Sequence, residues 1–408
     1  MGDVAPYTGL GVRLRDAGHQ VAIGAAAPFA ELVRGVGLEF RELPGDPRAA
    51  QHSEVNQRWQ RGGSGVRGGA RLVRLLSEAV AELGLGMIDV ARQGADVLLL
   101  SGPAFTGGTD VAEGLGIPSM GVFAAPAHPT SDFPPVLGLP HLGRLGNRMA
   151  GRALFAGMSV AMTSGINRVR ARLDLPPRSL AASMRAQDAT GWPVYYGFSP
   201  SVVPRPLDWR PGLEVAGYYW PQIPPDWSPP AELVEFLASG PPPVFVGFGS
   251  MVPGDPATLT ALVLEATRRS KLRAVVQAGW AGLRVRETSE RVLGIGDVAH
   301  AWLFPRMAAV VHHCGAGTTA AALRAGIPTV PVPVAADQSF WAARQLALGV
   351  SPAVLPSHRL NEAQLSAALR EATGTSSYAR RAEHLSRQIA TEDGARQVVE
   401  AINRMDAS

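Results

Sequence analysis

The chain has 408 residues, 46% apolar and 18% charged, which is long enough for two domains with proper cores and too apolar for a disordered segment. Its one cysteine, Cys314, excludes an intramolecular disulfide framework and suits a reducing cytoplasm; no basic-then-apolar opening suggests a signal peptide, and no run approaches the ~18 apolar residues of a membrane span. The formal charge is only +4, Lys271 is the sole lysine, and aromatics are 6% of the chain, so a nucleic-acid-binding surface is not expected.

In chain order, residues 3–17 are expected to be helical, with Asp3 placed to act as an N-cap. Strands are expected at Gln20–Gly24, Asp96–Leu100 and Ser119–Phe123, and helices over 67–92 and 103–115. A long helical region follows over Leu142–Leu173. This alternation predicts a parallel sheet covered on both faces. Arginines gather at Arg58, Arg61, Arg67, Arg71 and Arg74, then at Arg144, Arg148 and Arg152. They are solvated helix faces, or a weak attraction to anionic membranes. Prolines crowd Ser199–Pro230, which predicts a semi-rigid linker with no packed element and a domain boundary near residue 215. Strand–helix alternation restarts at Pro243 and continues through Ala274–Gln277 and Ala308–His312.

The most informative stretch is His312-His313-Cys314-Gly315-Ala316-Gly317-Thr318-Thr319. It follows a buried-strand pattern, Met307–Val311, and precedes a helix that ends at Gly326. A strand, a glycine-rich turn and a helix start gather backbone N–H groups at one point, and the helix N-terminus carries about half a positive charge. With two hydroxyls and two imidazoles, such a loop can grip a diphosphate without metal. The alternative is an ordinary strand–helix turn with core histidines. Gly326–Pro333 reads as a further strand, and Asp337-Gln338 follow where its carboxyl end meets a new helix starting near Ser339. Ligands of open α/β sheets collect at such ends.

These residues, from His312 through Val350, resemble the donor-sugar signature of inverting glycosyltransferases with the two-Rossmann (GT-B) architecture. The pattern is similar to the bacterial branch of the UDP-glycosyltransferase superfamily that contains sterol-glucosyltransferase-like enzymes and the glycosyltransferases of glycopeptide and macrolide antibiotics. Further landmarks occur in the same order: Gly2-Asp3-Val4-Ala5-Pro6-Tyr7, Leu43-Pro44-Gly45-Asp46-Pro47, Gly197-Phe198-Ser199-Pro200, Val244–Met251, Ala301–Arg306 and Asp393-Gly394-Ala395.

The resemblance implies an α/β fold of two doubly wound domains facing across a cleft. Residues 1–215 would bind the acceptor and 216–408 the nucleotide sugar. It also implies that the chain starts after the family's usual first strand, leaving a gap in the first sheet. Asp3 takes the general-base position, and the donor set is Gly249, Ser250, Val298, His313, Gly315, Gly317, Thr318, Asp337 and Gln338, with no metal and no resident cofactor. His312 is expected to pack or cap, and Trp302 to be helix packing. No aromatic occupies Leu293–Val298, where plant relatives stack the uracil, so the donor is a UDP- or TDP-hexose. The implied activity is inverting sugar transfer to a hydroxyl of a hydrophobic polyketide, glycopeptide, terpenoid or sterol. Phe123–Val136 and the Leu142–Leu173 region would line the acceptor side, or serve as core. The other function considered is a non-catalytic homologue that activates another enzyme. A dehydrogenase is disfavoured by the lack of an early G-x-G-x-x-G with a following acid.

Overall fold

A computed structural model of the chain describes residues 4–45, 66–136, 139–249, 251, 254–279, 281–285 and 289–406. The first half runs α1 (Ala5–Asp16), β1 (Ala22–Ala25), α2 (Ala30–Arg34), β2 (Glu39–Glu42), α3 (Val66–Ala91), β3 (Leu98–Leu100), α4 (Gly102–Leu115), β4 (Ser119–Phe123), α5 (Gly143–Arg172), α6 (Leu180–Thr190), β5 (Val194–Tyr196) and β6 (Leu213–Val215). All pairings are parallel, but among the described residues the strands form two sheets, β1-β2 and β3-β4-β5-β6. Helix α1 bridges them. Its Leu10 and Leu14 pack with Met120 and Val122 of β4, whereas Val4 and Val12 pack with Ala25 of β1 and with Val33 and Leu38. The N-cap of α1 is Val4, with no side-chain cap; Asp3 lies outside the described residues.

The second half runs α7 (Ala231–Ala238), β7 (Val244–Gly247), α8 (Pro256–Ser270), β8 (Ala274–Gln277), β9 (Val292–Ile295), α9 (His300–Leu303), β10 (Ala309–His312), α10 (Ala316–Ala325), β11 (Thr329–Pro331), α11 (Gln338–Ala347), α12 (Glu362–Gly374), α13 (Ser376–Ile389) and α14 (Gly394–Asp406). Its strands make one parallel sheet, ordered β11-β10-β7-β8-β9. Val244, Val246, Ala274, Val276, Ala309 and Val311 face one core, while Phe245, Val275 and Val310 face the other. Burial on both faces explains why these strands read as unbroken apolar runs. The strand order reverses between β7 and β10, where Gly247 and His312 lie side by side. The two halves are the doubly wound α/β architecture expected from the sequence.

One expectation fails. The proline-rich segment is packed: it contributes β6 beside β5, and Val202, Val203, Trp209, Tyr218 and Tyr219 are buried. Its prolines at 204, 206 and 211 all precede the strand, so none removes a ladder donor. The Arg205 guanidinium donates to the carbonyls of Leu213 (2.7 Å), Arg210 (2.7 Å) and Trp209 (3.3 Å), pairing the backbone of the irregular stretch from within.

Helix α14 returns to the first half. Ala395, Val398, Ala401 and Ile402 pack on Leu10, Leu14, Met120 and Val122, and Arg13 pairs with Asp393 at 2.8 Å. Just before it, Glu392 accepts from the hydroxyls of Ser199 (2.6 Å) and Ser201 (3.1 Å), on the segment that joins the halves.

Candidate active site

The carboxyl end of β10 turns into α10 through Cys314, whose φ of 67° is left-handed, and Gly315, the extended N-cap. No side chain caps α10, so its first N–H groups are unspent, and Gly315, Ala316, Gly317 and Thr318 are only half-buried. Cys314 itself is buried, which pushes its thiol well above the ordinary value and leaves it protonated.

The two histidines divide the work. His312 Nδ1 accepts the Cys314 N–H (3.1 Å), so its Nε2–H donates to Gln345 Oε1 (3.0 Å), and Gln345 in turn donates to the Trp341 carbonyl (3.2 Å). This chain ties the loop to α11, and His312 is structural, as expected. His313 has no such network. Its ring lies between two glycines: a Cβ at Gly249 would stand 2.7 Å from Cε1, and one at Gly315 would stand 2.5 Å from Nε2. Gly249 also has a left-handed φ of 56°. Neither position admits a side chain without moving the ring. Nδ1 of His313 is buried without a partner among the described residues, and burial pushes the imidazole down to about 3, so it is neutral at pH 7.

The remaining candidates follow the carboxyl ends of other strands of this sheet. Val298 is buried in the loop between β9 and α9. Asp337 holds the N-cap position of α11, which begins at Gln338, but its side chain does not cap; it accepts the Trp341 indole N–H at 2.8 Å. Gln338 is buried, and its carbonyl oxygen accepts the N–H groups of Val334 (2.8 Å) and Ala335 (3.1 Å). That leaves its amide N–H groups for another partner. Geometry thus joins Gly249, His313 and Gly315 directly and links the loop to Asp337 through His312, Gln345 and Trp341. Ser250 and Asp3 lie outside the described residues.

Sequence reasoning missed Gln345 and His300. The first is a buried polar residue at i+4 from Trp341, a pattern with a helical signal but no chemical one. His300 stacks on Phe304 (4.3 Å) and meets the edge of Phe245, beneath the same loop. Trp302 packs against Trp227 and under Arg306, the packing role expected for it.

On the first-half side, Phe123, His128, Tyr196 and Trp209 form an aromatic cluster at the carboxyl ends of β4 and β5. Phe133 of the same loop reaches Phe340 of α11 at 5.1 Å, so this loop spans to the helix that carries Asp337 and Gln338. Asp208 holds the loop: it accepts from Thr130 (2.6 Å) and from the Ser131 N–H and hydroxyl (2.9 Å each).

Residues 281–405 match the family described as Erythromycin biosynthesis protein CIII-like, C-terminal domain. The O-mycaminosyltylonolide 6-deoxyallosyltransferase of Streptomyces fradiae is 35% identical over 407 residues, which cover 96% of this chain and 92% of that protein. The chain belongs to this glycosyltransferase family. Sterol 3-beta-glucosyltransferase UGT80A2 of Arabidopsis thaliana is 33% identical over 98% of this chain, which spans only 63% of the plant protein. The glycosyltransferase SsfS6 of Streptomyces sp. SF2575, solved in complex with thymidine diphosphate, has a TM-score of 0.63 and 23% identity, covering 99% of this chain and 97% of that one. At that identity the likeness establishes the shared GT-B fold.

Proposed function

We propose that the chain is an inverting glycosyltransferase that moves a hexose from a UDP- or TDP-linked donor to a hydroxyl of an apolar natural product such as a polyketide, glycopeptide, terpenoid or sterol, without a metal or resident cofactor. The observation that carries this is the neutral His313 ring held between Gly249 and Gly315 beside the uncapped N-terminus of α10, at the point where strand order reverses. In this proposal residues 1–215 bind the acceptor and 216–408 the donor. Gly249, Ser250, His313, Gly315, Gly317 and Thr318 donate to the diphosphate, Val298 borders the base, and Asp337 and Gln338 meet sugar hydroxyls. Asp3 takes the acceptor proton as the hydroxyl oxygen attacks the anomeric carbon. The bond from that carbon to the diphosphate breaks, its electron pair goes to the phosphate oxygen, and an α-linked donor gives a β-glycoside. Donors fixed where that charge develops contribute on the order of 10²–10³ in rate each, and a positioned base about 10²–10⁴.

No helix among the described residues is long and apolar enough to cross a membrane. A cytoplasmic location, with at most weak peripheral contact through arginine-bearing faces such as Arg144, Arg148 and Arg152, belongs to the same proposal.

The test is calorimetric titration of UDP and TDP, alongside transfer from the matching glucose donors to a panel of apolar alcohols. His313→Ala is expected to weaken diphosphate binding about tenfold or more and to cut transfer by about 10²-fold. Asp3→Asn should keep binding and lose transfer. Wild-type protein that binds neither nucleotide would refute the proposal.

A further inference from the structure

Tyr196 ends β5 with its ring fully buried. Its hydroxyl oxygen receives the backbone N–H groups of Ala127 (3.4 Å) and His128 (3.2 Å) and stands 2.5 Å from His128 Nδ1. A neutral phenol has one proton, and two N–H donors already occupy its acceptor side, so that proton points to Nδ1. Burial raises the Tyr196 phenol well above its ordinary value and pushes the His128 imidazole down to about 4. Both are neutral at pH 7. A neutral imidazole that accepts at Nδ1 carries its proton on Nε2.

Nε2 of His128 has no hydrogen-bond partner among the described residues, although the side chain is only partly exposed. Its ring contacts are aromatic: Phe123 stacks at 6.5 Å, and Tyr196 and Trp209 meet it edge-on at 6.1 and 6.4 Å, while the charges of Arg210 and Asp188 act on it from farther out. The indole N–H of Trp209 is a second donor, buried and without a partner among the described residues. Phe133 touches both Trp209 and Phe340, so the cluster adjoins the helix of Asp337 and Gln338. A donor in such a wall is satisfied by water or by an oxygen of a ligand.

We propose that His128 is a specificity-determining residue of the acceptor site, its Nε2–H donating to a carbonyl, ether or second hydroxyl oxygen of an otherwise apolar polycyclic or macrocyclic alcohol. The proposal rests on the sugar-transfer function above. It assigns His128 no base role, because the nitrogen that faces the ligand already holds its proton.

The experiment pairs a hydroxysteroid bearing a ring ketone with its deoxo analogue as acceptors, TDP-glucose as donor, and wild type, His128→Phe and His128→Gln as enzymes. Wild type is expected to favour the ketosteroid about tenfold in kcat/KM, the size of one hydrogen bond. His128→Phe should erase that preference by raising the ketosteroid KM about tenfold, with the deoxo analogue and the donor KM changed less than about twofold. His128→Gln, which can offer an amide N–H, should retain part of it. If the phenylalanine variant does not fold, Tyr196→Phe addresses the same point: freed from the phenol, the tautomer is no longer fixed and the preference falls. Equal use of the two steroids by wild type, transfer to neither, or an equal loss with both in His128→Phe would overturn the proposal. Failure of wild type to bind TDP would instead strike the sugar-transfer function itself.

Discussion

The two halves share a doubly wound plan but spend their polar groups differently. In the second half the sheet is continuous, both faces are apolar, and the candidate site combines an uncapped helix start with one imidazole pressed between two glycines. Among the described residues the first half has two separate sheets, a charged network inside its helical layer, and a cluster of aromatic side chains on a pinned loop. A diphosphate has one shape, and backbone N–H groups meet it without depending on side-chain identity. Acceptors vary in shape, and loop side chains are the part of a scaffold that can vary with them.

Acid should break the symmetry between the halves most strongly. Burial lowers His300 and His312 to about 4 and His313 to about 3, all in the second half, and among the described first-half residues lowers His128 to about 4. A histidine whose folded pKa is depressed binds protons more readily when unfolded. Its contribution is therefore fully present above pH 6.5 and is lost as pH falls toward 4. Each group gives up about 1.4 kcal/mol per pH unit in that window, or about 2 kcal/mol by pH 5. Three such groups weigh against a typical total of 5–15 kcal/mol. Asp110 in the first half and Glu392 at the junction, both raised by burial, act in the opposite sense. Urea midpoints between pH 7.5 and 5, read with hydrogen exchange, should show the second half losing protection first. A midpoint indifferent to pH, or the first half opening earlier, would contradict this.

The first half should be the more sensitive to loss of a single cation. Arg170 is fully buried and bonds Asp110 at 2.5 Å, Glu113 at 3.0 Å and the Pro176 carbonyl at 2.6 Å. Arg170→Ala leaves Asp110, itself 2% exposed, without its cation, at a cost of about 3–5 kcal/mol. Replacing the pair together, Arg170→Met with Asp110→Asn, should recover most of that in a urea titration. A loss below about 1 kcal/mol in the single variant would mean that the network is solvated, not buried.

What the sequence made legible follows the same division. The β10–α10 turn could be read directly because a buried parallel strand is an unbroken apolar run and the glycine that follows marks a close approach; both signals are local. Strand β6 was hidden because the prolines at 204, 206 and 211 dominate the composition, while the three residues that pair with β5 follow them. The contact of His128 with Tyr196 spans 68 residues and depends on β4 and β5 being neighbours, which no local pattern states. The resemblance named Asp337 and Gln338, but not that one would receive an indole N–H and the other would anchor its own loop. Those partners are set by the start of α11 at Gln338, one residue earlier than helix propensity suggested.

Helix caps offer the finest comparison, because the same chemistry occurs on both sides. Ser179 accepts the Ala182 N–H (3.2 Å) at the start of α6, and Asn361 accepts the Gln364 N–H (2.9 Å) at the start of α12. Substituting alanine at either position should cost about 1 kcal/mol. Two distant sites of equal cost add simply, so they differ only in which part of the molecule they report on. Helix α14 is second-half chain packed on the first-half core, and Glu392 holds the connecting segment through Ser199 and Ser201. If those contacts couple the halves, both variants shift one common urea transition by the same amount. Two transitions, each moved by only its own variant, would show that the returning helix covers the first sheet without making the halves a single cooperative unit.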